Sequence, residues 1–96
     1  KRLKQFNGIA EESNNKEILD AILLLAKTEG IFTEPAGGVS VAVLKKMVEQ
    51  GQIDKNEITV CYVTGNGLKA TESLMEVLPK PEVMQPDIAK ISAVVR

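Results

Sequence analysis

Three stretches of this chain carry a clear apolar pattern. In "SNNKEILDAILLLAKTEG", Ile18, Ala21, Ile22 and Leu25 recur at the three- and four-residue spacing of one helical face. Leu19, Leu23 and Leu24 widen that face, which predicts a helix buried on more than one side. Asn14 is placed to cap it, Glu17 three residues on completes a capping box, and Gly30 supplies the stop. In "IFTEPAGGVSVAVLKKMVEQG", Pro35 suits the first helical position, where its missing N–H has no helical partner anyway. Val39, Ala42, Val43 and Met47 then form one stripe, and Gly51 ends the second helix.

The third stretch, Ile58 to Val63, is β-branched and unbroken, and predicts a strand ending at Thr64-Gly65-Asn66-Gly67. Leu68 to Val77 follows as a short helix. A weaker strand is expected over residues 3–11, with a turn at Asn7-Gly8. From Leu78 the text changes to "LPKPEVMQP", an extended segment with three prolines. "DIAKISAVVR" then predicts a last helix, with Asp87 as its cap and Ile88, Ile91 and Val95 on one side. The order is β-α-α-β-α plus a tail, an α/β fragment. Two strands alone leave long unpaired edges, so the expectation is a piece of a larger open sheet. Residues 1–78 read as its α/β part and 79–96 as a Pro-rich tail.

Composition narrows the function classes. Ninety-six residues make one domain at most, 44% apolar and 26% charged, with a net charge of −1. Near-neutral charge and 3% aromatics argue against nucleic-acid and membrane-surface partners. The absence of His and a lone Cys61 argue against a metal centre or a disulfide framework. Cys61 reads as a small buried thiol in a reducing cytosol. The first residues, "KRLKQFNGIA", lack both the apolar core of a signal peptide and an initiator Met, which suggests a chain cut from something longer.

Two glycine constellations are candidate sites. At Glu34-Pro35-Ala36-Gly37-Gly38, two glycines occupy the first helical turn, where each costs about 1 kcal/mol relative to Ala in a helix interior. Either a ligand or another backbone needs the missing Cβ space, or the glycines allow tight packing with Glu34 as a charge on the helix dipole. At Thr64-Gly65-Asn66-Gly67, the end of a strand meets the start of a helix. Ligands of open sheets bind there, although a plain turn has the same text. Thr64 is the sharper clue, because its hydroxyl can donate or accept. Lys45-Lys46 reads as a solvated face, and Lys69 as a surface residue.

Read together, "KEILDAILLLAKTEGIFTEPAGGVSVAVLKKMVEQG" and "ITVCYVTGNGLK" resemble the threonine synthases, pyridoxal-phosphate enzymes related to the threonine and serine dehydratases and the cysteine synthases. The resemblance covers roughly residues 7–78. It implies a C-terminal fragment of an enzyme converting O-phospho-L-homoserine and water to L-threonine and phosphate. It further implies that Thr64 faces the pyridine nitrogen of the cofactor, donating to an unprotonated ring, with Glu34 and the Gly37 backbone near the same ring edge. The family's Schiff-base lysine and its Gly- and Asn-rich phosphate loop have no counterpart in these residues. No catalytic residue is therefore assigned here, and the fragment alone is expected to be inactive. A homodimer in the cytoplasm, or in the plastid stroma for a plant-type source, is implied for the full-length enzyme. The alternatives are a related dehydratase fragment and a free-standing, non-catalytic interaction module.

Overall fold

The computed structural model describes residues 2–95. Its helices are α1 (Arg2–Gln5), α2 (Asn15–Glu29), α3 (Pro35–Glu49), α4 (Glu72–Met75) and α5 (Ile88–Val94), with a 3-10 turn at Gly67–Lys69. The expected β-α-α-β-α order is not what forms. Among the described residues there is no strand and no sheet, only one antiparallel bridge between Thr33 and Asn66.

The reason lies in pairing. A strand exists through a neighbour that takes its N–H and C=O groups, and β propensity measures fit to such a neighbour. Ile58–Val63 finds none within this chain. Ile58, Val60 and Tyr62 are 98%, 75% and 80% exposed. At the other predicted strand, Arg2–Gln5 coils instead, and Asn7 adopts a left-handed φ of 54°. The Gly8 N–H then closes on the Leu3 carbonyl at 2.6 Å. Asn tolerates that conformation, so the Asn7-Gly8 turn closes a short helix and not a strand.

α2 and α3 form where their pattern predicts, but α2 is not buried on more than one side. Of its residues only Ala21 and Ile22 are buried, and Leu24 is 41% exposed, because no sheet among the described residues covers its second face. Asn14 Oδ1 accepts from the Glu17 N–H at 2.9 Å, and Glu17 Oε2 accepts from the Asn14 N–H at 2.9 Å. Gly30 ends α2 in the left-handed region, with φ 67°. The two helices pack against each other over small residues, with Ala21, Ile22 and Ala42 buried. Gly38 makes the approach possible: a Cβ there would stand 2.6 Å from Ile22 Cγ1. Lys46 crosses the seam, donating to the Glu12 carbonyl and, at 3.1 Å, to Glu17 Oε2. Only Lys45 fits the solvated face expected of the pair, while Lys46 is three-quarters buried. The Asn14 N–H, and after it Lys46, hold the Glu17 carboxyl below the usual carboxylate range.

Beyond α3 the packing thins. The helix expected over 68–77 is split into the 3-10 turn and α4, parted at Ala70 by an extended φ of −148°. Leu74 of α4 is buried, and Ser73 and Glu76 share a shallow cleft with Ile18, Leu19 and Pro35. α5 starts where Asp87 accepts from the Ala89 N–H, yet buries no residue. Arg96, at the end of the predicted last helix, and Lys1 lie outside the described residues. The radius of gyration is 18.1 Å, against about 12–13 Å for a compact domain of this length. The helical pair and what docks on it therefore hold most of the buried surface. No helix among the described residues is long and apolar enough to cross a membrane.

Candidate functional site

The two glycine constellations, thirty residues apart in sequence, meet in space. The Glu34 N–H donates to the Gly65 carbonyl at 2.9 Å, and the Gly67 N–H donates to the Phe32 carbonyl at 3.0 Å. These two bonds lay the Thr64–Gly67 turn against the entry of α3. Thr33 locks the junction from within. Its side chain is fully buried, and its hydroxyl lies 3.2 Å from the Gly65 carbonyl and 3.3 Å from the Glu34 carbonyl. A buried hydroxyl without a partner would be costly, and this arrangement satisfies it.

The glycines are spaces that this chain fills itself. A Cβ on Gly37 would strike the Thr33 hydroxyl, one on Gly67 the Phe32 ring, and one on Gly65 the Glu34 carboxylate. None of the three has a φ that only glycine favours, so it is room and not backbone conformation that requires them. Of the two readings open for Gly37, the structure supplies packing, against Thr33.

At the outer edge of this junction Thr64 Oγ1 donates to Glu34 Oε1 at 2.9 Å. Thr64 is exposed and Glu34 half-buried. Glu34 stands at the N-cap of α3, a position preferred by Ser, Thr, Asp and Asn, yet its side chain makes no capping bond. The carboxylate is turned to Thr64 instead. As a carboxylate it only accepts, so the proton in this bond is that of Thr64. The hydroxyl then keeps its lone pairs for an outside donor.

The structure thus brings two predicted residues, Glu34 and Thr64, into direct contact and sets Gly37 behind them. Lys69 is exposed on the 3-10 turn, and Cys61 is half-buried in the extended segment. Thr33 was not legible as the pivot. The available signal was its spacing of four from Gly37, which puts a side chain and a gap on facing sides of one turn. With the Cβ spaces occupied by Thr33, Phe32 and Glu34, no glycine cradle is left for a phosphate. What remains at the surface of the junction is the Thr64 hydroxyl, held on the Glu34 carboxylate.

Residues 1–65 match a family described as "Pyridoxal-phosphate dependent enzyme". The chain is similar to the threonine synthase of Methanocaldococcus jannaschii, 39% identical over 89 residues, which is 93% of this chain and 22% of that protein. Against the threonine synthase of Halalkalibacterium halodurans identity is 43% over 82 residues, 84% of this chain and 23% of the relative. Against that of a Bacillus species it is 48% over 66 residues, 69% of this chain and 19% of the relative. The chain therefore spans about a fifth of the length of the curated relatives it matches. With the family match covering residues 1–65, the chain belongs to the pyridoxal-phosphate dependent enzymes.

Proposed function

We propose that this chain is the C-terminal part of a threonine synthase, and that Thr64, Glu34 and the Gly37 backbone form one wall of its cofactor site. The observation that carries the reading is the 2.9 Å Thr64–Glu34 bond, made between the two segments that resemble the threonine synthases. Similarity to relatives of that name over most of the chain supports it. When bound, pyridoxal phosphate supplies an electron sink for carbon atoms near the substrate's amino group. This chain's share is to hold the ring edge through the Thr64 hydroxyl, with Glu34 orienting that hydroxyl and Thr33 fixing the backbone beneath both.

The substrate is O-phospho-L-homoserine, converted with water to L-threonine and phosphate. The lysine that bonds to the cofactor, and the groups that hold the two phosphates, belong to other parts of a protein several times longer. Residues 1–78 belong to the cofactor-binding domain and 79–96 form a tail. The whole protein works as a homodimer in the cytoplasm. The test is to supply the full-length protein with pyridoxal phosphate and O-phospho-L-homoserine and measure threonine and phosphate in equal amounts. Release of 2-oxobutanoate from threonine, with none formed from O-phospho-L-homoserine, would make it a dehydratase and end this reading.

A further inference from the structure

We propose that Asn66 is a guarded deamidation site. Its side-chain amide survives while the Phe32 carbonyl holds the Gly67 N–H, and opening of that bond exposes it to irreversible conversion to aspartate or isoaspartate. The inference does not depend on the cofactor reading. In the reaction, the Gly67 nitrogen forms a bond to Asn66 Cγ and the Cγ–Nδ2 bond breaks. The amide nitrogen leaves as ammonia, taking the Gly67 proton with it. Water then opens the cyclic imide at one of its two carbonyls and returns a proton to the Gly67 nitrogen, leaving aspartate or isoaspartate at position 66.

The junction creates this liability and also guards it. Glycine is required at 67, because a Cβ there would strike the Phe32 ring, and a residue without a Cβ leaves the attacking nitrogen uncrowded. The amide is primed as well. Asn66 Oδ1 accepts from the Leu68 N–H at 2.9 Å, a donor placed where negative charge develops as Cγ is attacked. Only the nucleophile is withheld. Gly67 is buried and its N–H donates to the Phe32 carbonyl at 3.0 Å, while the Thr33 hydroxyl and the Glu34 N–H hold the Gly65 carbonyl two residues before it. Asn66 itself is exposed, so water reaches the imide once it forms. An imide nitrogen carries no proton and makes no bond to Phe32. The reaction therefore runs from the opened turn, at a rate that follows the opened fraction. Isoaspartate then adds one backbone atom between Gly65 and Gly67, which puts the Gly67 N–H out of register with Phe32. Aspartate keeps the register but adds a negative charge next to Gly65, against which the Glu34 carboxylate already lies.

The experiment holds the full-length protein at mildly alkaline pH, with and without a denaturing concentration of urea. Peptide mapping with fragment sequencing follows the gain of acid and isoaspartate at Asn66. Deamidation in the folded protein is expected to be slower than in the unfolded one by about tenfold or more. Thr33→Val, which removes the hydroxyl at the Gly65 carbonyl, should raise the folded rate severalfold and leave the unfolded rate unchanged. Equal rates in folded and unfolded wild type overturn the proposal, and so does a folded Thr33→Val protein no faster than wild type. The first comparison needs no variant, so it decides the matter even where Thr33→Val does not fold.

Discussion

Gly38→Ala separates packing from propensity in the helical pair. In an exposed helix interior, Gly to Ala stabilises by about 0.5–1 kcal/mol, since the unfolded chain loses freedom. At Gly38 the new Cβ would lie 2.6 Å from Ile22 Cγ1 and 3.0 Å from Ile18 Cγ2 and Ile22 Cδ1. Carbon pairs rest at about 3.5–4.0 Å, so α3 must back away by roughly 1 Å. Ile22 cannot yield easily, because Cγ1 sits one bond from its Cβ and the side chain is 1% exposed. Overpacking of this kind costs about 1–3 kcal/mol. Set against the propensity gain, the net expectation is a destabilisation of about 1–2 kcal/mol.

The assay is urea unfolding of the chain followed by its helical circular dichroism. The midpoint should fall with little change in slope, which reports lost stability and not a change of compactness. Gly51→Ala is the contrast: nothing lies within 4 Å of its Cβ position, so any loss there comes from its φ of 72°. Combining Gly38→Ala with Ile22→Ala should cost less than the sum of the single changes, because the second removes what the first collides with. A midpoint that rises in Gly38→Ala, or strict additivity in the pair, would refute the close approach of α2 and α3.

Gly65→Ala should displace the Glu34 carboxylate, whose Oε2 would lie 2.7 Å from the new Cβ. A carboxylate at the end of a flexible side chain moves readily, so stability should change by less than about 1 kcal/mol, as for other surface sites. Glu34→Gln should then have no further effect in that background, read by the same urea titration. Asn14→Ala removes the side chain that accepts from the Glu17 N–H, and should cost about 1 kcal/mol of stability. Acid should weaken the helical pair through Glu17, whose carboxyl is held below the usual range by the Asn14 N–H and then by Lys46. Its folded value is the lower one, so its contribution is complete above the unfolded carboxylate range and is lost as pH falls through the folded value. Glu17→Gln should flatten that acid limb in melting curves taken across it; an unchanged limb would show that Glu17 does not carry it.

The helical pair was legible because its signals are local. Asn14, Glu17, Gly30 and Pro35 each act within one turn, and Ile18, Ala21, Ile22 and Leu25 follow a period that needs no distant partner. Ile58–Val63 misled for the opposite reason. Its residues fit a pleated surface, but a strand is a relation between two segments, and without one these six residues, the half-buried Cys61 apart, stay exposed. The site fell between these cases. Glu34 and Thr64 could each be picked out by the glycines beside them. Their direct bond could not, because it depends on Thr33, a residue that looks unremarkable until its side chain is seen closing the space over Gly37.

Thr64 gains its precision from elsewhere in the chain. It ends an extended segment whose apolar residues are largely exposed, and such a residue left to itself would sample several rotamers. Its bond to Glu34 ties it to the N-cap residue of α3, and the Glu34–Gly65 and Gly67–Phe32 backbone bonds fix the turn around it. α3 in turn is seated by Gly38 on Ile22, the most buried apolar side chain of the helical pair. Order thus passes from the α2–α3 seam to the helix entry, from there to the carboxylate, and from the carboxylate to one exposed hydroxyl. A substitution at Gly38 that shifts α3 therefore moves Glu34 as well, and should loosen Thr64 although Gly38 touches neither. One at Gly51, beyond the far end of the same helix, leaves that line of support in place.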